Sequence, residues 1–345
     1  MMLSRLALAP VLLALLAVPR RSAGAQGQGP RGPSPTVADV HYAPAVPRGT
    51  NGHKLDLYLP PGASAPTPVV LWTAGSAWMR DDGKRGAEVI AAQLIPLGYA
   101  VAGVSIRSSS QVQFPSQLHD IKAAIRWIRA NAAMHNIDPA RIGIIGTSSG
   151  GWATAMAAVT GDAPEMEGSV GVLTGSSAVQ AAIAFFPPTD FLSMDAWALR
   201  RCPAPDAPRA AGEMPCHDDE RSPESQLVGC AIQRCPEQAR AADPVPYITA
   251  ADAPLMILHG GSDPLVPHNQ GERLYMALNK ACANAVFISV PKAGHGPLGA
   301  FLSDDIVREG ATIRSTAAQG CAVTNPALVQ PTWKTVTDFL EKHLK

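Results

Sequence analysis

Three residues that could act together stand far apart in this chain: Ser148, Asp263 and His295. A serine hydroxyl is a poor nucleophile near neutral pH. It needs a base to take its proton, and an imidazole base needs a carboxylate to orient it. Ser148 lies in Gly146-Thr147-Ser148-Ser149-Gly150, a G-x-S-x-G pattern. Glycines two residues to either side leave room for a sharp strand-to-helix turn. Such a turn lifts the hydroxyl above a sheet and aims a helix N-terminus at any oxyanion formed there. Asp263 stands in His259-Gly260-Gly261-Ser262-Asp263-Pro264, and His295 between Gly294 and Gly296, which let its ring project without backbone clash. Taken singly, Ser148 also reads as part of a glycine-rich connection, Asp263 as an Asx-turn or helix cap, and His295 as a loop histidine with a structural hydrogen bond. In the order Ser, Asp, His they point to nucleophilic acyl transfer. With an ordinary imidazole as base, activity is expected to rise at about pH 6–7.

The elements needed to position these residues can be read around them. Residues 142–145 are a short apolar run ending at the serine turn, expected as a buried strand. Small residues follow at Gly150, Gly151, Ala153, Ala155, Ala157 and Ala158, a helix that can pack closely. Residues 53–59 alternate polar and apolar. Residues 69–72, 99–106, 181–186, 254–258 and 285–290 are further apolar runs with strand character. Helical spacing occupies 84–94, 118–133, 271–280 and 333–344, with 136–139 as a turn into the serine strand. Strands separated by helices imply a mainly parallel sheet with helices on both faces, and ligands then bind at the carboxyl ends of the strands. Asp263 and His295 each follow a predicted strand, at that rim. Residues 190–245 change character. They are rich in proline and polar residues and hold four of the six cysteines, which reads as an inserted cap.

Composition narrows the class. The chain has 345 residues, 46% hydrophobic and only 16% charged, with zero net charge and no basic stripe. That permits a large core and argues against a nucleic-acid partner. Residues 1–25 read as a signal peptide: Arg5, an apolar run over 6–18, and Ala23-Gly24-Ala25 as a cleavage pattern. The run is too short for a confident membrane span. Residues 26–40, opening on a glycine- and proline-rich stretch, are expected to be a flexible linker, and 41–345 one catalytic domain. An even number of cysteines in an exported chain suggests disulfides. Sequence proximity suggests Cys202–Cys216, Cys230–Cys235 and Cys282–Cys321, among fifteen possible pairings.

The trio, the G-x-S-x-G turn and the His259-to-Pro267 stretch together resemble the α/β-hydrolase superfamily, and within it secreted carboxylesterases of the feruloyl and acetylxylan esterase-like type. The resemblance covers about residues 40–345. It implies Ser148 as nucleophile, His295 as general base and then acid, Asp263 as its orienting carboxylate, and an acyl-enzyme intermediate. It implies no cofactor and no metal, and a small or polymer-linked ester as substrate. Relatives carry a His-Gly-Gly-x-Trp-like oxyanion loop, whereas this chain has Ala74-Gly75-Ser76-Ala77-Trp78. Backbone N–H groups of Ser76, Ala77 and Ser149 are the expected oxyanion donors, with something other than a histidine bracing the loop. Trp78 and Trp152 are expected at the substrate, Trp78 reading equally as a core aromatic. An amidase or peptidase on the same scaffold, and a non-catalytic binding protein, stay open as alternatives.

The remaining candidates point to structural roles. Cys216-His217-Asp218-Asp219-Glu220 has metal-ligand residue types, but adjacent residues rarely converge on one ion, and disulfides account for the cysteine. His119-Asp120 is expected on a solvated helix face. His268 is expected to cap a helix or lie at the surface, and Asp190 to cap a helix or line the pocket.

Overall fold

The computed structural model describes residues 32–161, 163–202 and 215–345. The predicted signal peptide and most of the glycine-rich stretch after it lie outside the described residues.

The alternating apolar runs become one sheet. Its strands are β1 (Val37–His41), β2 (Lys54–Tyr58), β3 (Thr67–Thr73), β4 (Ala100–Val104), β5 (Ile137–Thr147), β6 (Ala181–Phe185), β7 (Leu255–Gly260), β8 (Ala285–Val290) and β9 (Thr312–Ala317), with two short strands, β10 (Ala322–Val323) and β11 (Ala327–Leu328). Their order is β1-β2-β4-β3-β5-β6-β7-β8-β9-β10, and β11 pairs with β9. The six strands from β4 to β8 are parallel, and the antiparallel pairings lie at the two edges. The mainly parallel sheet with helices on both faces is therefore as expected.

Period-2 alternation divides the core in two. Val69, Leu71, Ile142 and Ile144 face one layer, with the helices α2 (Ser116–Ala130) and α3 (Ser149–Val159) packed against them. Val70, Trp72 and Ile145 face the other, beneath α1 (Ala87–Leu94) and the C-terminal helix, α10 (Trp333–Leu344). Every residue of α3 is buried, and its glycines and alanines allow that closeness. At Gly150 an added Cβ would collide with the Thr73 carbonyl oxygen of β3.

Between β6 and β7 the chain leaves the sheet for short helices, α4 (Met194–Trp197), α5 (Pro223–Val228) and α6 (Pro236–Ala241). The chain then runs through α7 (Asn269–Lys280), and through α8 (Leu298–Leu302) and α9 (Asp305–Arg308) before β9. The disulfides are Cys202–Cys216, Cys230–Cys235 and Cys282–Cys321, the pairs that proximity suggested.

Four expectations need correction. β1 forms where a linker was expected, because residues 37–41 find a ready partner in the edge of β2. β5 begins at Ile137, so the predicted turn shrinks to Asn136, which sits in the left-handed region at φ 52°. β9 and its ribbon had no expected counterpart. Asp120 is not on a solvated face: it is fully buried, and its carboxylate accepts from Arg107 Nη2 (2.7 Å) and the Arg107 backbone N–H (2.9 Å) and stands 3.2 Å from His53 Nε2. A buried charge is tolerated there because it is paired and hydrogen-bonded.

Candidate active site

Loops at the carboxyl ends of β3, β5, β7 and β8 meet at one rim of the sheet. β5 ends at Thr147 and α3 starts at Ser149, leaving Ser148 as the turn, at φ 54° and ψ −125°. A non-glycine residue at positive φ is strained and must be held by its surroundings. Here the Ser148 N–H donates to the Phe185 carbonyl (2.9 Å), and Gly75 lies so close that a Cβ on it would stand 2.5 Å from Ser148 Cβ.

The three candidate residues come together. Ser148 Oγ is 2.9 Å from His295 Nε2, and His295 Nδ1 is 2.8 Å from Asp263 Oδ2. A carboxylate only accepts, so Nδ1 carries the proton and Nε2 offers its lone pair to the serine hydroxyl. Asp263 is 1% exposed, and its other oxygen accepts the N–H groups of Leu265 and Val266, each at 2.9 Å. Both lone-pair sets are thus used, and the carboxylate is fixed in orientation. The His295 ring rests on Phe186, with centroids 4.5 Å apart. Phe186 directly follows β6 and sits at φ 38°; its place after a strand was the available sequence signal.

His259 lies under this group. It is fully buried, its Nε2 donates to the Val266 carbonyl (3.0 Å), and it stands 3.8 Å from Asp263 Oδ2. Burial pushes its pKa down to about 4, against the pull of Asp263, so it is neutral at neutral pH.

The loop after β3 lacks the relatives' histidine and is braced differently. Gly75 N–H donates to Thr147 Oγ1 (3.1 Å), Ser76 N–H to Ser149 Oγ (2.9 Å), and Arg85 Nη2 to the Gly75 carbonyl (2.8 Å). Ala77 and Trp78 follow at φ 51° and 56°. Of the three expected oxyanion donors, Ser76 is engaged by Ser149, while the N–H groups of Ala77 and Ser149 have no acceptor among the described residues.

Ser148, His295, Ser76, Ala77 and Trp78 line a cavity of about 630 Å³. Trp78 does both things expected of it: it is 3% exposed, packs edge-on against Trp152, and forms cavity wall. Trp152 does not reach the cavity. It is fully buried, and its indole N–H donates to the Ala242 carbonyl (2.7 Å), so it anchors the inserted segment to α3 instead. His268 holds the N-cap position of α7, but its side chain makes no capping bond there; its Nε2 pairs with Ser289 Oγ at 2.8 Å, half-buried beside His259. Asp190 holds the N-cap position of the short turn at 191–193 without a side-chain capping bond, does not line the cavity, and has its carboxylate 3.6 Å from Arg273 Nε. Among the described residues, the side chains with metal-ligand spacing are Asp195, Cys202 and Cys216, and the two cysteines are bonded to each other. The cavity also includes His217 and Glu224, which sequence reasoning did not place there.

Comparison with known proteins finds esterases of similar sequence and fold. The sequence profile of the BD-FAE family matches residues 55–278, well over half of the chain. Esterase LipQ of Mycobacterium tuberculosis is 27% identical over 264 residues, covering 75% of this chain and 56% of its own length. The chain thus spans little more than half the length of the curated relatives it matches. Among solved structures, a truncated carbohydrate esterase from gut microbiota superposes with TM-score 0.69 at 31% identity, covering 91% of this chain and 99% of that one. A bifunctional GH43-CE protein of Bacteroides eggerthii gives 0.67 at 32% identity, covering 79% and 36%.

Proposed function

We propose that this chain, which belongs to the BD-FAE family of α/β-hydrolase esterases, is an exported serine hydrolase that cleaves carboxylic esters through an acyl-enzyme. The observation that carries the reading is the unbroken hydrogen-bond line from Ser148 Oγ through His295 to Asp263, opening on a cavity. The esterase names of its relatives point the same way.

In this mechanism Ser148 Oγ attacks the ester carbonyl carbon while His295 Nε2 takes its proton. The carbonyl oxygen gains negative charge and is met by the N–H groups of Ala77 and Ser149, at the N-terminus of α3. His295 returns the proton to the leaving alkoxide, and the alcohol departs, leaving an acyl group on Ser148. Water, deprotonated by His295, releases the acid and restores the serine. Asp263 holds the tautomer and stabilises the imidazolium. Residues 41–345 act as one catalytic domain, with 190–245 as its cap.

Export is supported by three disulfides, which persist in oxidising compartments. Among the described residues no helix is long and apolar enough to cross a membrane. An export test is N-terminal sequencing of the mature protein, expected to begin near Gln26.

The catalytic test is hydrolysis of 4-nitrophenyl acetate by wild type and Ser148→Ala. The variant should lose about 10⁴-fold or more in kcat. Wild-type turnover of the matching anilide at a rate equal to the ester would favour the amidase instead. Activity undiminished in Ser148→Ala would refute the reading.

A further inference from the structure

β7 reads Leu255-Met256-Ile257-Leu258-His259-Gly260. Leu255 and Ile257 belong to the apolar layer shared with Leu274 and Leu278 of α7. Period-2 alternation puts His259 next in that row, where an apolar residue would be the ordinary choice. It is fully buried and does not line the cavity. Its Nε2–H donates to the Val266 carbonyl (3.0 Å), so Nδ1 holds only a lone pair, and no donor meets that lone pair among the described residues. α7 makes room for the ring with a glycine: a Cβ on Gly271 would stand 2.6 Å from Nδ1.

A buried imidazole with one nitrogen unsatisfied costs free energy that an apolar side chain would not. Charging it would cost more, and burial holds its pKa down at about 4, against the pull of Asp263. A neutral ring in this place thus carries a penalty and makes one hydrogen bond, the one to Val266.

That bond reaches the seat of Asp263. Val266 and Leu265 both donate their N–H groups to Asp263 Oδ1, each at 2.9 Å. Val266 is therefore held at both of its backbone polar groups, by the Asp263 carboxylate through its N–H and by His259 through its carbonyl. The His259 ring also stands 3.8 Å from Asp263 Oδ2, the oxygen 2.8 Å from His295 Nδ1. Take away the His259 donor, and the turn that grips Asp263 loses its tie to the sheet.

We propose that His259 is a positioning residue for ester cleavage: by holding the Val266 carbonyl it fixes the turn that aims Asp263 at His295. This rests on the esterase reading of the same site. His259 meets neither substrate nor reacting atoms, and acts through Asp263.

The test is a double-mutant cycle on kcat for 4-nitrophenyl acetate. His259→Leu removes the donor and keeps a side chain to fill the space. It should lower kcat about tenfold to a hundredfold with KM little changed. His259→Gln, whose amide N–H can reach the same carbonyl, should recover most of that loss. In an Asp263→Asn background the imidazole is already in the wrong tautomer and its aim no longer counts. There His259→Leu should lower kcat less than about twofold. A merely structural role would lower kcat by the same factor in both backgrounds, and that result would overturn the proposal. Wild-type kcat in His259→Leu, or a His259→Gln enzyme as slow as His259→Leu, would overturn it too. Should His259→Leu fail to fold, Gly271→Ala decides. Its added methyl pushes the ring off Val266, so the same loss is expected, again silent beside Asp263→Asn, and wild-type kcat in Gly271→Ala overturns the proposal. Dependence on Ser148 and Asp263 without dependence on His259 sinks the positioning role alone. Ester cleavage that depends on neither Ser148 nor Asp263 sinks the esterase reading as well.

Discussion

Asp263 shows how much one side chain's surroundings decide. Its Oδ1 is held by the N–H groups of Leu265 and Val266, and its Oδ2 faces His295. In Asp263→Asn the amide oxygen would stay with the two N–H donors, and the amide NH₂ would face His295 Nδ1. The imidazole would then take the other tautomer, with a proton aimed at Ser148, and could not act as base. We expect kcat for 4-nitrophenyl acetate to fall about 10³–10⁴-fold with KM little changed. A loss below tenfold in steady-state assays would contradict the orienting role. His259 offers a pH prediction. Its folded pKa is about 4 against an ordinary 6.5, so the unfolded chain binds its proton more readily. This stabilisation is complete above about pH 6.5 and is lost as pH falls toward 4, amounting to roughly 3 kcal/mol. His217, raised instead of lowered, acts with the opposite sign. Denaturant titrations at pH 7 and pH 4.5 should show a smaller acid loss in His259→Gln than in wild type; equal losses would refute the assignment.

At the scale of elements, the loop after β3, proposed to hold the oxyanion, is positioned by its neighbours more than by its own residues. Thr147 and Ser149, on either side of Ser148, accept its Gly75 and Ser76 N–H groups. Thr147→Val removes one brace at nearly constant volume. Loss of loop position should lower kcat about tenfold to a hundredfold, with little change in melting temperature; kinetics at wild-type level would show that Arg85 and Ser149 suffice. This brace also shows where the sequence was legible. The serine turn, the two loops after β7 and β8, and the terminal helix α10 follow from local pattern, because apolar runs, glycines and helical spacing act over a few residues. That Thr147 and Ser149 replace a missing histidine depends on contacts more than 70 residues apart. The same holds for Asp120, whose burial is set by Arg107 and His53 and not by its helix periodicity. Trp152 has the residue type of a substrate contact, but the tertiary fold turns it toward Ala242. β9 escaped notice because its run, Thr312–Ala317, is partly exposed and only weakly apolar.

Across the whole molecule, the disulfides divide the labour. Cys282–Cys321 spans 39 residues and ties the approach to β8 to the ribbon beyond β9, whereas Cys202–Cys216 and Cys230–Cys235 close 14 and 5 residues within the inserted segment. Loop-closure entropy therefore ranks Cys282–Cys321 as most stabilising, at about 4 kcal/mol against about 3 and 2 for the others. Replacing both of its cysteines by alanine should lower the melting temperature more than either other double replacement, as calorimetry would show; the reverse order would contradict this ranking. The fold's larger consequence is that the loops after β3, β5 and β8 bring Ala77, Ser148, Ser149 and His295 to a single cavity, with Asp263, after β7, buried behind His295. The most direct test is to treat the folded protein with an alkyl fluorophosphonate and map the adduct by peptide mass spectrometry. Stoichiometric phosphonylation of Ser148 is expected, lost in Ser148→Ala and sharply slowed in His295→Ala. A label on another residue, or none on a folded wild-type protein, would contradict it.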